Sequence, residues 1–272
     1  MKSIIIPAAL LAGLSPAAAF AQEEEDKAVT LSGSATIASD YRFRGVSQSD
    51  KEMAVQGGLT LSHESGLYAG VWASNLAGWG SFGGANMELD LIGGYKLPIS
   101  ETATLDAGLV WYMYPGGADE SDFAEPYVKL TGTAGPATLT AGIAYAPKQH
   151  ALANVSNAPG SRGQSEDNLY LWGDGAVAIA GTPFTAKAHI GYSDGNPGLG
   201  PNGTSVAPTG RYWDWSLGVD TTWRNLTLGL SYVDTDIGGA EAARLQPNFS
   251  KGLDGTGSIA DATIVASMTA AF

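Results

Sequence analysis

Residues 262 to 272 read Ala-Thr-Ile-Val-Ala-Ser-Met-Thr-Ala-Ala-Phe. Ala262, Ile264, Ala266, Met268, Ala270 and Phe272 fall on one face of an extended chain. Thr263, Val265, Ser267, Thr269 and Ala271 fall on the other. A strand that ends on an aromatic, apolar on one side, is the form of the closing strand of a bacterial outer-membrane β-barrel. There it pairs with the first strand so that no edge stays open in lipid. The stretch therefore predicts a transmembrane antiparallel β-barrel, an all-β fold.

The opposite end agrees. Lys2 precedes an apolar run from Ile4 to Leu14, and Ala19-Phe20-Ala21 offers a small-residue cleavage site. This pattern predicts a signal peptide over residues 1–21, an acidic periplasmic tail over 22–28 and a barrel over 29–272. Pro7 and Pro16 break the run, which is too short to span a bilayer as a helix. The chain has no cysteine, so stability has to come from elsewhere than disulfides. Gly is abundant at 37, while charged residues make up only 15%. That balance suits strands with one side in lipid. The net charge is −13, and loss of Lys2 would make it −13 − 1 = −14. An acidic chain lacks the basic footprint that nucleic acid requires.

Period-2 alternation predicts twelve strands, near 29–45, 52–63, 67–76, 86–97, 102–114, 123–132, 138–147, 168–180, 184–194, 212–223, 226–236 and 261–272. A tilted strand needs roughly 9–11 residues to cross a bilayer, against about 5–6 for an average globular strand. The connections alternate between short turns, as at Glu64-Ser65-Gly66, and longer loops, as at Lys148 to Asp167. Short periplasmic turns and longer extracellular loops are the barrel arrangement. Tyr41 and Phe43 at the end of strand one, Trp111, Trp213, Trp223, Tyr95, Tyr145, Tyr192 and Tyr232 are expected in aromatic girdles at the membrane boundaries. Strands three and eight stay ambiguous, because Tyr68 and Trp72 share one face while Leu67, Ala69 and Val71 share the other.

The run Ser39-Asp40-Tyr41-Arg42-Phe43-Arg44-Gly45-Val46-Ser47-Gln48-Ser49-Asp50 resembles the TorF-type porin family, also named Gcw_chp. Similar matches are Val55-Gln56-Gly57-Gly58, the stretch His63 to Asn75, Glu88-Leu89-Asp90-Leu91 with Gly93-Gly94-Tyr95, Asn168-Leu169-Tyr170 and His189 to Gly195. The resemblance implies an outer-membrane barrel that acts as a porin.

The polar faces supply the candidate functional residues. Arg42, Arg44, Glu88, Asp90, Asp106, Glu125, Lys129, Asp174 and Asp214 are expected to face the lumen, with Lys96, Lys187, His189, Asp220 and Asp234. A charge facing lipid at mid-membrane would cost roughly 2–4 kcal/mol for Arg or Lys. Two readings compete: a constriction that filters small hydrophilic solutes with weak cation preference, or Arg42 and Arg44 paired with Glu88 or Asp90 as a structural plug. Ser47-Gln48-Ser49-Asp50 reads best as turn chemistry. A barrel hydrolase is the rival class, with an adhesion barrel as a third. His63, His150 and His189 sit in no nucleophile motif, and no zinc or calcium spacing occurs, so neither catalytic residues nor cofactors are expected. The expected partners are the lipid bilayer with its lipopolysaccharide, small hydrophilic solutes, and the outer-membrane assembly machinery acting on the strand that ends at Phe272.

Overall fold

The computed structural model describes residues 28–78, 82–117, 121–153, 164–197, 199–200, 203–204, 206–244 and 257–272. The segments expected as signal peptide and most of the acidic tail lie outside them. Twelve antiparallel strands close into a barrel. They are β1 (Val29–Ala38), β2 (Ala54–His63), β3 (Leu67–Asn75), β4 (Met87–Ser100), β5 (Ala103–Met113) and β6 (Phe123–Ala134), followed by β7 (Ala137–Gln149), β8 (Glu166–Ala178), β9 (Phe184–Gly195), β10 (Arg211–Trp223), β11 (Leu226–Thr235) and β12 (Thr263–Ala271). Each strand pairs with its sequence neighbours, and β12 closes on β1. No helix among the described residues is long and apolar enough to cross a membrane, so any crossing is made by strands.

The alternation read from the sequence sorts the faces. Along β10 and β11, Trp213, Leu217, Leu228, Leu230 and Tyr232 stand exposed on the outside. Tyr212, Asp214, Asp220, Thr227 and Thr235 are buried inside. An apolar exterior on every strand is untenable in water and suits hydrocarbon. Trp111, Trp223, Tyr95 and Tyr145 are also exposed outside, as a girdle requires. In β3 the ambiguity resolves inward for Tyr68 and Trp72, with Leu67 and Val71 outward; in β8 Tyr170 and Trp172 point inward.

Inward aromatics need room, and the facing strands provide it. Trp172 pairs with Gly142, Tyr68 with Gly94, Tyr127 with Gly108 and Trp72 with Gly58. A Cβ on any of these glycines would press on the ring it faces. Outside, the Phe272 ring covers Gly33 in the same manner.

Two expectations are corrected. Strand β1 stops at Ala38 rather than reaching residue 45. The Asp40 carboxylate accepts from Ser47 Oγ at 2.5 Å and Ser49 Oγ at 3.2 Å, and Ser49 Oγ also accepts from the Tyr41 amide at 2.9 Å. These local bonds compete with the strand ladder and turn the chain inward. Tyr41 and Phe43 therefore leave the expected girdle and are buried inside the barrel. Asp234 moves the other way: it follows Tyr232 on the outer face and accepts from that hydroxyl at 2.7 Å.

Candidate functional site

Between β1 and β2 the chain forms a small hairpin, with Arg42–Phe43 paired to Val46–Ser47. Its tip is Arg44-Gly45, both at positive φ (49° and 78°), which for Arg is an uncommon conformation. This hairpin crosses the bore. In the ring of twelve, β6 and β8 each lie five strands from β1, one in either direction. Arg44 reaches both. Its Nη2 donates to Glu125 Oε2 of β6 at 2.6 Å, and its guanidinium lies 4.1 Å from the centroid of the Tyr170 ring of β8. Tyr212 of β10 donates to the Arg44 carbonyl at 2.9 Å. The side chains of Arg44 and Glu125 are 2% and 0% exposed. Burial alone would lower the pKa of the Arg44 guanidinium, but the Glu125 charge and hydrogen bond outweigh it and raise it above its ordinary value.

One half of the bore is thereby filled. Tyr41 packs edge-on against Trp72 and Phe43 edge-on against Tyr112, which stacks on Phe123 at 4.6 Å between centroids. Glu88 accepts from the hydroxyls of Tyr41 at 2.9 Å and Tyr114 at 3.4 Å. Lower in the same half, Asp106 accepts from Tyr68 at 2.7 Å and pairs with Lys129 at 3.5 Å. The Tyr68 hydroxyl also bonds that of Tyr127. Lys96 sits over the Tyr68 ring.

The other half keeps open space, a cavity of about 140 Å³ beside the hairpin. Thr36, Gln56, Ser231 and Thr269 line it with Arg42, Arg44 and two ionic groups. Lys187 bonds Asp220 at 2.8 Å across β9 and β10. His189 lies between Asp174 (Nδ1 to Oδ1, 2.7 Å) and Asp214 (Nε2 to Oδ1, 3.1 Å), with the Tyr170 hydroxyl 2.9 Å from Nε2.

All nine candidates from the sequence line the interior or the hairpin, but their pairing differs from the expectation. Arg44 binds Glu125, and Arg42 binds Asp40 at 2.6 Å while donating to the carbonyls of Gly45, Ile259 and Asp261. Neither bonds Glu88 or Asp90. Ser47 and Ser49 serve the loop backbone and Asp40, as the turn reading expects. His63 bonds Ser65 in a turn, His150 bonds the Gln164 carbonyl, and His189 has carboxylates at both ring nitrogens. None of the three bonds a serine in the manner of a nucleophile and its base; Ser65 is exposed in the tight turn of His63 itself. The sequence leaves the rings of β3 and β8 undecided and assigns no inward position to Tyr112, Phe123 or Tyr127. For Tyr68, Trp72, Tyr127 and Trp172 the deciding signal is a glycine opposite each on the next strand; Tyr112, Phe123 and Tyr170 have none opposite.

A family model described as a bacterial protein of unknown function, Gcw_chp, matches residues 22–272. No curated protein matches by sequence. Among solved structures, the NanC porin is similar with a TM-score of 0.54 at 11% identity, over 89% of this chain and 99% of that one. The KdgM porin, solved in complex with disordered oligogalacturonate, is similar with a TM-score of 0.50 at 7% identity, over 89% and 98%. Both are barrels of like size, and neither is an enzyme by its description.

Proposed function

This chain belongs to the Gcw_chp family, and from that premise and the barrel we propose that it is an outer-membrane channel for passive diffusion of small hydrophilic solutes. It is exported with a cleaved leader, and the TorF-type porin likeness belongs to the same reading. The single observation that carries it is the polar cavity left beside the hairpin: a sealed apolar cylinder encloses a partly open, hydroxyl- and charge-lined bore. The short turns face the periplasm and the long loops face outward.

The net charge of −13 favours weak cation preference. Within the cavity Lys187 faces Asp220, His189 faces Asp214 and Arg42 faces Asp40, so the preference is small. Liposomes holding the refolded barrel should admit small sugars and exclude large ones. Reversal potentials in a potassium chloride gradient should lean slightly to the cation, and a clear anion preference would refute that part. Burial of the hairpin across the bore favours a second reading, a structural barrel. A folded protein that leaves liposomes tight to every solute would establish it and remove the channel.

A further inference from the structure

The tip of the hairpin is held to the far wall by few groups. Arg44 reaches Glu125 through Nη2 alone, and its guanidinium lies against the rings of Phe43 and Tyr170. Removing one partner of a buried pair is strongly destabilising, so this one contact weighs heavily on whether the tip stays docked. Of the described non-glycine residues at positive φ, Arg44, Asp50 and Lys51 all lie in this one connection; Arg224 is the exception. Arg44 forms the turn at the tip, while Asp50 and Lys51 lie past the second arm, at the base on which the hairpin would pivot. Free space adjoins the hairpin on the side of β9 to β12.

We propose that the hairpin 42–47 is a gate, latched in the closed position by Arg44 and Glu125, which swings toward the long-loop end and widens the bore. The proposal rests on the channel reading and supplies its regulation. In the open position Arg44 and Glu125 are hydrated, Phe43 leaves Tyr112, and the Tyr212 hydroxyl loses the Arg44 carbonyl.

The absence of cysteine allows thiol reporters on a silent background. Val46→Cys reports a position that is 3% exposed when docked, and Glu52→Cys is an exposed control in the same connection. Each is reconstituted in liposomes, checked for its heat-modifiable folded form, and treated with a membrane-impermeant maleimide. The gate predicts that V46C reacts, more slowly than E52C. Adding Glu125→Gln should then accelerate it by about a hundredfold or more, the effect of removing one partner of a buried pair. No reaction of V46C in either background, while E52C reacts, overturns the gate.

Conductance separates this from the channel reading. A Cβ on Gly45 would lie 2.5 Å from Thr235 Cγ2 and 2.8 Å from Asp214 Cβ, at a φ of 78°, so Gly45→Ala pushes the tip off the wall. G45A and E125Q, each checked for its heat-modifiable folded form, should conduct more than the parent. Equal conductance in the parent, G45A and E125Q overturns the gate and leaves the channel standing. Silence in all of them overturns the channel, and with it the gating role, even if labelling shows the hairpin to move.

Discussion

Arg44 carries the position of the hairpin, and its removal should be felt in two ways. Arg44→Ala leaves Glu125 buried without its cation, a change that costs about 3–5 kcal/mol in buried pairs. Chemical unfolding of the reconstituted barrel should show a lower midpoint, and an unchanged midpoint would mean that the pair adds nothing. Gly142→Ala is the apolar counterpart. The new methyl meets the Trp172 ring, and overpacking of this kind costs about 1–3 kcal/mol. Loss of the folded, heat-modifiable band at a lower temperature would show it. At this scale the sequence was half legible. Period 2 assigns Arg42, Arg44, Glu88 and Glu125 to the water side without any structure. It cannot tell that Arg44 bonds Glu125, 81 residues away, rather than Glu88, because that depends on where the hairpin points after the strand breaks.

Among the elements, strand length and face were legible because lipid demands both at once: enough residues to cross, and apolar side chains at every second position. Leu217, midway along β10 and exposed on its outer face, tests the assignment. Leu217→Arg should cost roughly 2–4 kcal/mol and lower the yield of folded barrel, whereas Ser216→Arg, facing the cavity, should fold and alter conductance. Equal tolerance of both would contradict the orientation. The end of β1 was not legible. Tyr41 and Phe43 keep the apolar rhythm past Ala38, so the pattern reads as more strand. What stops it is a set of side-chain bonds around Asp40, from Ser47, Ser49 and Arg42, which periodicity does not register.

For the whole molecule, closure is the property from which the others follow, and it is made at one seam. Strand β1 pairs with β2 over ten residues, Val29 to Ala38, but with β12 over only five, Ser34 to Ala38. Main-chain bonds between Gly33 and Phe272, at 2.8 and 2.9 Å, extend that seam by one step. Deleting Phe272 removes both bonds and uncovers Gly33, so the truncated barrel should fold in lower yield and unfold at lower denaturant; identical behaviour would deny the residue a part in sealing. The partners at this seam are far apart in sequence, Thr36 and Thr269 being 233 residues apart. Closing so long a span is slow, because its entropy is lost before the contact repays it. A growing polypeptide would thus carry eleven sticky, half-greasy ribbons with nowhere to end until the twelfth arrives. Such a chain has to stay unfolded and shielded from its own kind until the cylinder can shut.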